Sequence, residues 1–309
     1  MKQKRKLIFI LGPTASGKSN LAIEWAKKYQ GVIFNCDSIQ VFQELNIGSA
    51  KPNNDELKIV PHFLYDFLPP GSVLTAGEYL RYFSQALVTI DQNIPVFVVG
   101  GTGFYFQALE HGMYDVQPTP PDLKKKVLEE INTEGGAGRL YQELQAFDPE
   151  YAAKINHQDH YRIARAIEII RHEGKKVSEV MSASKKDLMD FDFEILKIGV
   201  RPTKEKLREN IRLRMIKMLD QGLIQETKTL VDAGFSNWSP LKSVGYKEVQ
   251  IYLNENKSLD WLKEWIEIGT WQLAKKQMTW FKRDQKIHWL NPMDRAEVEV
   301  SEKLLMEFI

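Results

Sequence analysis

Apolar positions along the first hundred residues fall into two registers. Unbroken runs at Leu7-Ile8-Phe9-Ile10-Leu11 and Pro95-Val96-Phe97-Val98-Val99 have the length and β-branched or aromatic content of strands covered on both faces. Leu21, Ala22, Trp25 and Ala26 instead recur at helical spacing. The pattern predicts strand 7–11, helix 18–29, strand 31–35, a loop to about 60, helix 76–90 and strand 95–99. That alternation describes an α/β domain built on a parallel sheet. From Tyr114 the character changes. Gln117-Pro118-Thr119-Pro120-Pro121 punctuates the chain, and residues 122–182 read as helices with a break at Gly135-Gly136-Ala137-Gly138. Strand character returns at 193–200, followed by helical patterns at about 204–233, 243–253 and 259–281 and a short strand at 287–290. The expected organisation is an α/β core from residues 1–114 and 193–309, with an inserted all-helical subdomain at 115–192.

Composition narrows the class. With 309 residues, 43% of them hydrophobic, the chain can bury a sizeable core. Its single cysteine, Cys36, excludes an internal disulfide and a cysteine-based zinc or iron–sulfur site, which points to a reducing compartment, the cytoplasm. No apolar run approaches the about 20 residues that span a bilayer, and Lys2-Gln3-Lys4-Arg5-Lys6 leads straight into strand character rather than into a cleavable signal. The expectation is a chain with no membrane partner. A net charge of +1 means that any polyanionic partner must be met by local patches.

Between the first strand and first helix stands Gly12-Pro13-Thr14-Ala15-Ser16-Gly17-Lys18-Ser19, a full G-x-x-x-x-G-K-S phosphate loop in its required context. Backbone N–H groups of such a loop converge on phosphate oxygens. Lys18 adds a point charge, and the Ser19 hydroxyl suits Mg²⁺. The loop alone leaves open whether its ligand is ATP, GTP or another pyrophosphate ester. After the second strand, Asn35-Cys36-Asp37-Ser38-Ile39-Gln40-Val41-Phe42 brings a carboxylate to a strand's C-terminal end. Asp37 there could order a metal or take a proton from a nucleophile; equally, Asp37 and Ser38 could merely cap the next segment. Gly100-Gly101-Thr102-Gly103 ends the 95–99 strand, where open α/β sheets place ligands.

These segments together resemble the isopentenyl-tRNA transferase family, the bacterial tRNA dimethylallyltransferases. The matching pieces run in order through nearly the whole chain. They are the loop 12–19, Asp37-Ser38-Ile39-Gln40-Val41-Phe42 for Asp-Ser-x-Gln-Val-Tyr, and Ile47-Gly48-Ser49-Ala50-Lys51-Pro52 for Ile-Gly-Thr-Ala-Lys-Pro. Then come Val99-Gly100-Gly101-Thr102-Gly103-Phe104-Tyr105, Arg162-Ile163-Ala164-Arg165-Ala166-Ile167-Glu168 and Gly222-Leu223-Ile224. Val244-Gly245-Tyr246-Lys247-Glu248 and Gln272-Leu273-Ala274-Lys275-Lys276-Gln277-Met278-Thr279-Trp280-Phe281 complete the set.

The resemblance implies a P-loop NTPase-like core with a mostly parallel sheet flanked by helices, and a tRNA-binding helical insert. It implies transfer of a dimethylallyl group from dimethylallyl diphosphate to the exocyclic amine of the adenosine 3′ of the anticodon, with Mg²⁺ and with the anticodon stem-loop of tRNA as partner. On that reading the loop residues Gly12, Pro13, Thr14, Ala15, Ser16, Gly17, Lys18 and Ser19 hold the diphosphate. Asp37 is the base, Thr14 and Lys18 serve the leaving group, and Ser19 serves the metal. Asp37, Ser38, Ile39, Gln40, Thr102, Arg162 and Arg165 would meet tRNA.

For the family's Arg-Ile-x-x-Arg pattern, Arg214 is the better match to the catalytic arginine, with Asn210 in place of the other. Arg208 or Arg212 could share its work, or the helix could simply present a solvated basic face. Two basic patches are expected to meet RNA: Arg162, Arg165, Arg171, Lys175 and Lys176, and then Lys275, Lys276, Lys282, Arg283 and Lys286 interleaved with Trp271, Trp280 and Phe281. The aromatic residues serve a helix core equally well. A monomer is expected. Rival readings are a small-molecule kinase, a prenyltransferase acting on free AMP or ADP, and a nucleotide-switched binding module that would not need a base at Asp37.

Overall fold

The computed structural model describes residues 3–113, 116, 119–182 and 191–309. The expected boundary at 114/115 lies outside the described residues, as do Gln117, Pro118 and the stretch 183–190. Two compact units emerge: Met1–Glu110 with Met189–Ile309, and His111–Leu188.

In the first unit, β1 (Gln3–Leu11) leads through the phosphate loop into α1 (Lys18–Lys28) and β2 (Val32–Asn35). The predicted loop to about 60 contains α2 (Asn54–Ile59), begun by a reciprocal cap between Asn53 and Glu56, and the short β3 (His62–Phe63). α3 (Ala76–Leu87) starts on a Thr75–Glu78 capping box and buries Tyr79, Leu80, Phe83 and Leu87 at helical spacing. β4 (Val96–Gly100) and α4 (Gly103–His111) follow.

The second unit contains α5 (Pro121–Ile131), α6 (Gly136–Phe147), α7 (Pro149–Ala152), α8 (His160–Glu173) and α9 (Val177–Ser182). They close around Val127, Leu140, Leu144, Ile163 and Ile167. Asp148 is buried yet satisfied: it accepts from the Ser178 backbone N–H at 2.8 Å and from the Ser178 hydroxyl at 2.7 Å.

The chain re-enters the sheet at β5 (Phe191–Val200). It continues through α10 (Lys204–Asp220), α11 (Leu223–Leu230), α12 (Tyr246–Asn254), α13 (Leu259–Phe281), β6 (His288–Leu290) and α14 (Arg295–Phe308). The helix expected over 204–233 is broken. Gly222 takes the left-handed conformation at φ +99°, which a side chain disfavours, and it caps the start of a new helix. α14 was not among the predicted elements; an Asp294 cap and buried Leu305 define it.

Strand order is β3-β2-β4-β1-β5-β6, with every adjacent pair parallel. Ile8, Ile10, Phe97, Val99 and Ile198 pack on one face against Trp25, Ala22 and Leu305. Strand order reverses around β1, so the loops that follow β1, β2 and β4 converge at one end of the sheet. This is a P-loop NTPase-like fold. A separate core of Val41, Leu45, Met215, Leu223, Tyr246 and Ile266 joins the C-terminal helices to the loop after β2.

Candidate active site

Two glycines allow the three loops to approach. A Cβ on Gly12 would lie 2.6 Å from the Val200 carbonyl oxygen, and one on Gly100 would lie 2.0 Å from that of Cys36. Cys36 N–H donates to Val99 O at 2.8 Å, and Thr102 N–H donates back to Cys36 O at 3.2 Å, so the chain after β2 is stitched to the chain after β4. Asn35, fully buried, accepts the Asp37 N–H at 3.0 Å and donates to the carbonyls of Asp37 and Leu64. Asp37 Oδ1 accepts the Ile39 N–H at 2.9 Å. The Thr102 hydroxyl oxygen accepts the Ser38 N–H at 3.0 Å. Asp37 is thereby held at a fixed place by three separate elements.

Thr14, Lys18, Ser19, Asp37, Ile39, Gln40 and Arg214 line one cleft. Lys18 is half-buried and donates to Pro13 O at 3.2 Å. Its ammonium is pushed down to about 8, first by desolvation and further by repulsion from Arg214, against the attraction of Asp37. Burial likewise lowers the Arg214 guanidinium below its ordinary value, with Asp37 opposing. Arg214 donates to Ser49 O at 3.5 Å. Two cations thus face one carboxylate in a partly dry cleft, an arrangement short of negative charge. Ser16 Oγ, buried inside the loop, has no hydrogen-bond partner among the described residues. The same cleft carries apolar side chains: Ile39, Ile211, Met215, Met218, Ile266 and Leu273. A ligand with an anionic head and a short hydrocarbon tail matches both sets.

Among the three arginines of α10, only Arg214 lines the cleft. Arg208 lies 4.6 Å from the Trp271 ring centroid, and Arg212 is exposed. Asn210 donates to Ala15 O at 3.0 Å and holds the crest of the phosphate loop, where Ala15 has φ +62°. The Gln40 amide donates to the carbonyls of Ser49 and Ala50, both at 3.0 Å, and Lys51 turns inward onto Phe42 O and Asp66. The Gln40 donor and Lys51 therefore shape the loop that follows β2.

Sequence reasoning missed Glu226 on α11. Its carboxylate accepts the backbone N–H groups of Asn46, Ile47 and Gly48 at 3.0, 2.8 and 3.1 Å, and the Tyr246 hydroxyl at 2.7 Å. Gly48 has no room for a side chain there, since a Cβ would lie 2.4 Å from Tyr246 Cζ.

The first basic patch is largely spent on internal pairing. Arg165 donates to Thr119 Oγ1 and Glu168, both at 2.7 Å, Arg162 pairs with Asp159 at 3.1 Å, and Arg171 makes four hydrogen bonds to Glu130 and Glu143. The second patch faces water: Lys275, Lys276, Lys282, Arg283 and Lys286 are all exposed. Its aromatic residues divide. Phe281 is buried, Trp271 is covered by Arg208, and Trp280 stays 39% exposed with Arg283 5.8 Å from its ring centroid.

For Mg²⁺, no cluster of three His, Cys, Asp or Glu side chains exists among the described residues. Ser19 and Asp37 are hard oxygen donors on the same cleft. They fit an ion that keeps several waters and takes its other ligands from phosphate oxygens.

A family model described as IPP transferase matches residues 40–284. The tRNA dimethylallyltransferase of Bdellovibrio bacteriovorus is 49% identical over 288 residues, covering 93% of this chain and 94% of that protein. A tRNA dimethylallyltransferase of Rhizobium etli is 38% identical over 285 residues, covering 91% and 95%. Among solved structures, the tRNA isopentenylpyrophosphate transferase of Staphylococcus epidermidis is 31% identical with a TM-score of 0.66 and 98% of each chain covered. A eukaryotic dimethylallyltransferase acting on tRNA is 26% identical with a TM-score of 0.80, covering 98% of this chain and 77% of that one.

Proposed function

The chain belongs to the IPP transferase family, and from that premise we propose how its cleft transfers a dimethylallyl group to tRNA. The carrying observation is the juxtaposition of Lys18, Arg214 and Asp37 with apolar side chains in the cleft of the phosphate loop. The loop's N–H groups, Lys18 and Arg214 receive the diphosphate of dimethylallyl diphosphate, while Ile39, Met215, Met218 and Ile266 enclose its hydrocarbon tail. As the allylic C–O bond breaks, charge grows on the departing oxygens. Donors already fixed around them lower the barrier, because they need no reorganisation at that moment. An adenine exocyclic amine is a weak nucleophile, its lone pair drawn into the ring. Asp37 accepts the amine proton as the new N–C bond forms, and diphosphate leaves.

Ser19 would hold Mg²⁺ together with the diphosphate, where the ion would supply further charge neutralisation for the leaving group, while Asp37 keeps its carboxylate for the amine proton. The target is the adenosine 3′ of the anticodon, drawn out of its stack to reach Asp37, with Ser38 and Thr102 beside it. RNA phosphates rest on Lys275 and Lys276 of α13 and on Arg283 just beyond its end, and Trp280 offers a face for an unpaired base.

Family membership sets aside the kinase reading and the switch without transfer chemistry. The test incubates the protein and Mg²⁺ with unmodified tRNA, offering dimethylallyl diphosphate or ATP separately, with free AMP as a competing acceptor. Nucleoside mass analysis should find a prenyl mass on tRNA adenosine only with the prenyl donor. Prenylated AMP alone would overturn the tRNA assignment.

A further inference from the structure

Gln277, on α13, makes two hydrogen bonds that join the two halves of the site. Its Oε1 accepts the Thr14 backbone N–H of the phosphate loop at 2.8 Å, and its Nε2 donates to Gly101 O at 3.1 Å. The next residue after Gly101 is Thr102, whose hydroxyl oxygen accepts the Ser38 N–H at 3.0 Å, one residue from Asp37. A single side-chain amide thus connects the leaving-group cradle to the segment carrying the base. The fit is tight on the far side as well: a Cβ on Gly101 would stand 2.3 Å from Gln277 Nε2. The half-buried amide lines the same cleft as Lys18 and Asp37.

We infer that Gln277 is a positioning residue that fixes the distance between the diphosphate cradle and the base, so that the breaking and forming bonds stay aligned. A glutamine alone suits this place among natural side chains. It presents an acceptor and a donor from one rigid plane at the end of a stem long enough to reach. Asparagine is a methylene short, and glutamate keeps the acceptor for Thr14 but sets an oxygen against the Gly101 carbonyl. This inference rests on the prenyl-transfer reading of the cleft.

The test compares Gln277→Glu and Gln277→Met with the parent, in prenyl transfer to tRNA at saturating concentrations of both substrates and in titrations of each. Parent activity in that assay is the control: its absence would overturn the prenyl-transfer reading, whereas parent activity with unaffected variants would overturn only the role of Gln277. The expected result is a kcat lowered by about tenfold or more in both variants, with each KM within about threefold of the parent, since misplacement of reacting groups by an ångström costs on that scale. A kcat within twofold, or a loss confined to the KM for dimethylallyl diphosphate, would overturn the inference. If Gln277→Met fails to fold, Gln277→Glu, isosteric and still able to accept from Thr14, decides alone on the same criteria.

Discussion

Replacing Lys18 by methionine should make the ligand-free protein more stable while crippling it. The ammonium is pushed from 10.5 to about 8, chiefly by desolvation. At about 1.4 kcal/mol per tenfold, holding it protonated in the folded state costs about 3 kcal/mol. Part of this is offset by its partial contact with water and by the bond to Pro13 O, worth about 1 kcal/mol. Methionine preserves most of the stem's packing, so Lys18→Met should stabilise the protein by about 2 kcal/mol near neutral pH. That corresponds to a rise of about 3 °C in melting temperature, read by calorimetry in phosphate-free buffer.

The pH dependence has a definite sign. Between about pH 8 and 10.5 the unfolded lysine still holds its proton and the folded one has lost it, so unfolding takes up a proton and the parent's stability rises with pH. Below about 8 the parent carries the full penalty, and above 10.5 both states are neutral. The gap between parent and variant should therefore be widest near neutrality and close across that window. Binding of inorganic diphosphate, followed by titration calorimetry, should weaken by about tenfold or more. A variant that melts at or below the parent, or binds diphosphate as tightly, refutes the reading of Lys18 as a buried cation kept for an anionic ligand.

Asp37→Asn should leave tRNA affinity nearly unchanged and lower the single-turnover rate by about two orders of magnitude, the scale of a lost general base; an unchanged rate would remove Asp37 from that role. Glu226→Ala strips the partner from three backbone N–H groups and the Tyr246 hydroxyl, and urea unfolding should show a loss of about 3 kcal/mol, with Glu226→Gln milder. Gly100→Ala drives a Cβ into the Cys36 carbonyl and should cost about 2 kcal/mol, together with activity, because Asp37 follows Cys36. Lys276→Ala and Arg283→Ala should each flatten the salt dependence of tRNA binding by about one unit of slope, whereas Arg171→Ala, removing the pairs with Glu130 and Glu143, should leave the slope unchanged and lower thermal stability.

Much of this molecule was legible without coordinates. The strand runs, the loop 12–19 and the helical insert follow from unbroken apolar runs, a period of 3.6 and glycine placement, which act over a few residues. Asp37 and Thr102 could be singled out because each follows a strand's C-terminal end, where this topology gathers ligands, and Lys18 because it stands in the phosphate-loop motif. The break at Gly222 was harder to see, because one glycine within a helical pattern is tolerated unless the next turn must point elsewhere.

Which polar side chains meet is settled by packing alone. Arg208, Arg212 and Arg214 look alike along one helix, yet one lines the cleft, one stacks on Trp271 and one faces water. Nothing in the local pattern around Asn210, Glu226 and Gln277 gives their partners: each meets a backbone group far away in the chain only once α10, α11 and α13 have packed. The two basic patches had equal standing in the sequence; in the first, α5 and α6 bring Glu130 and Glu143 onto Arg171 and α8 itself pairs Arg165 with Glu168, while the second faces water. Local pattern fixes which face of an element is apolar, because burial needs only periodicity. Polar pairing depends on how several elements cross, and that is set by the packing of all of them together.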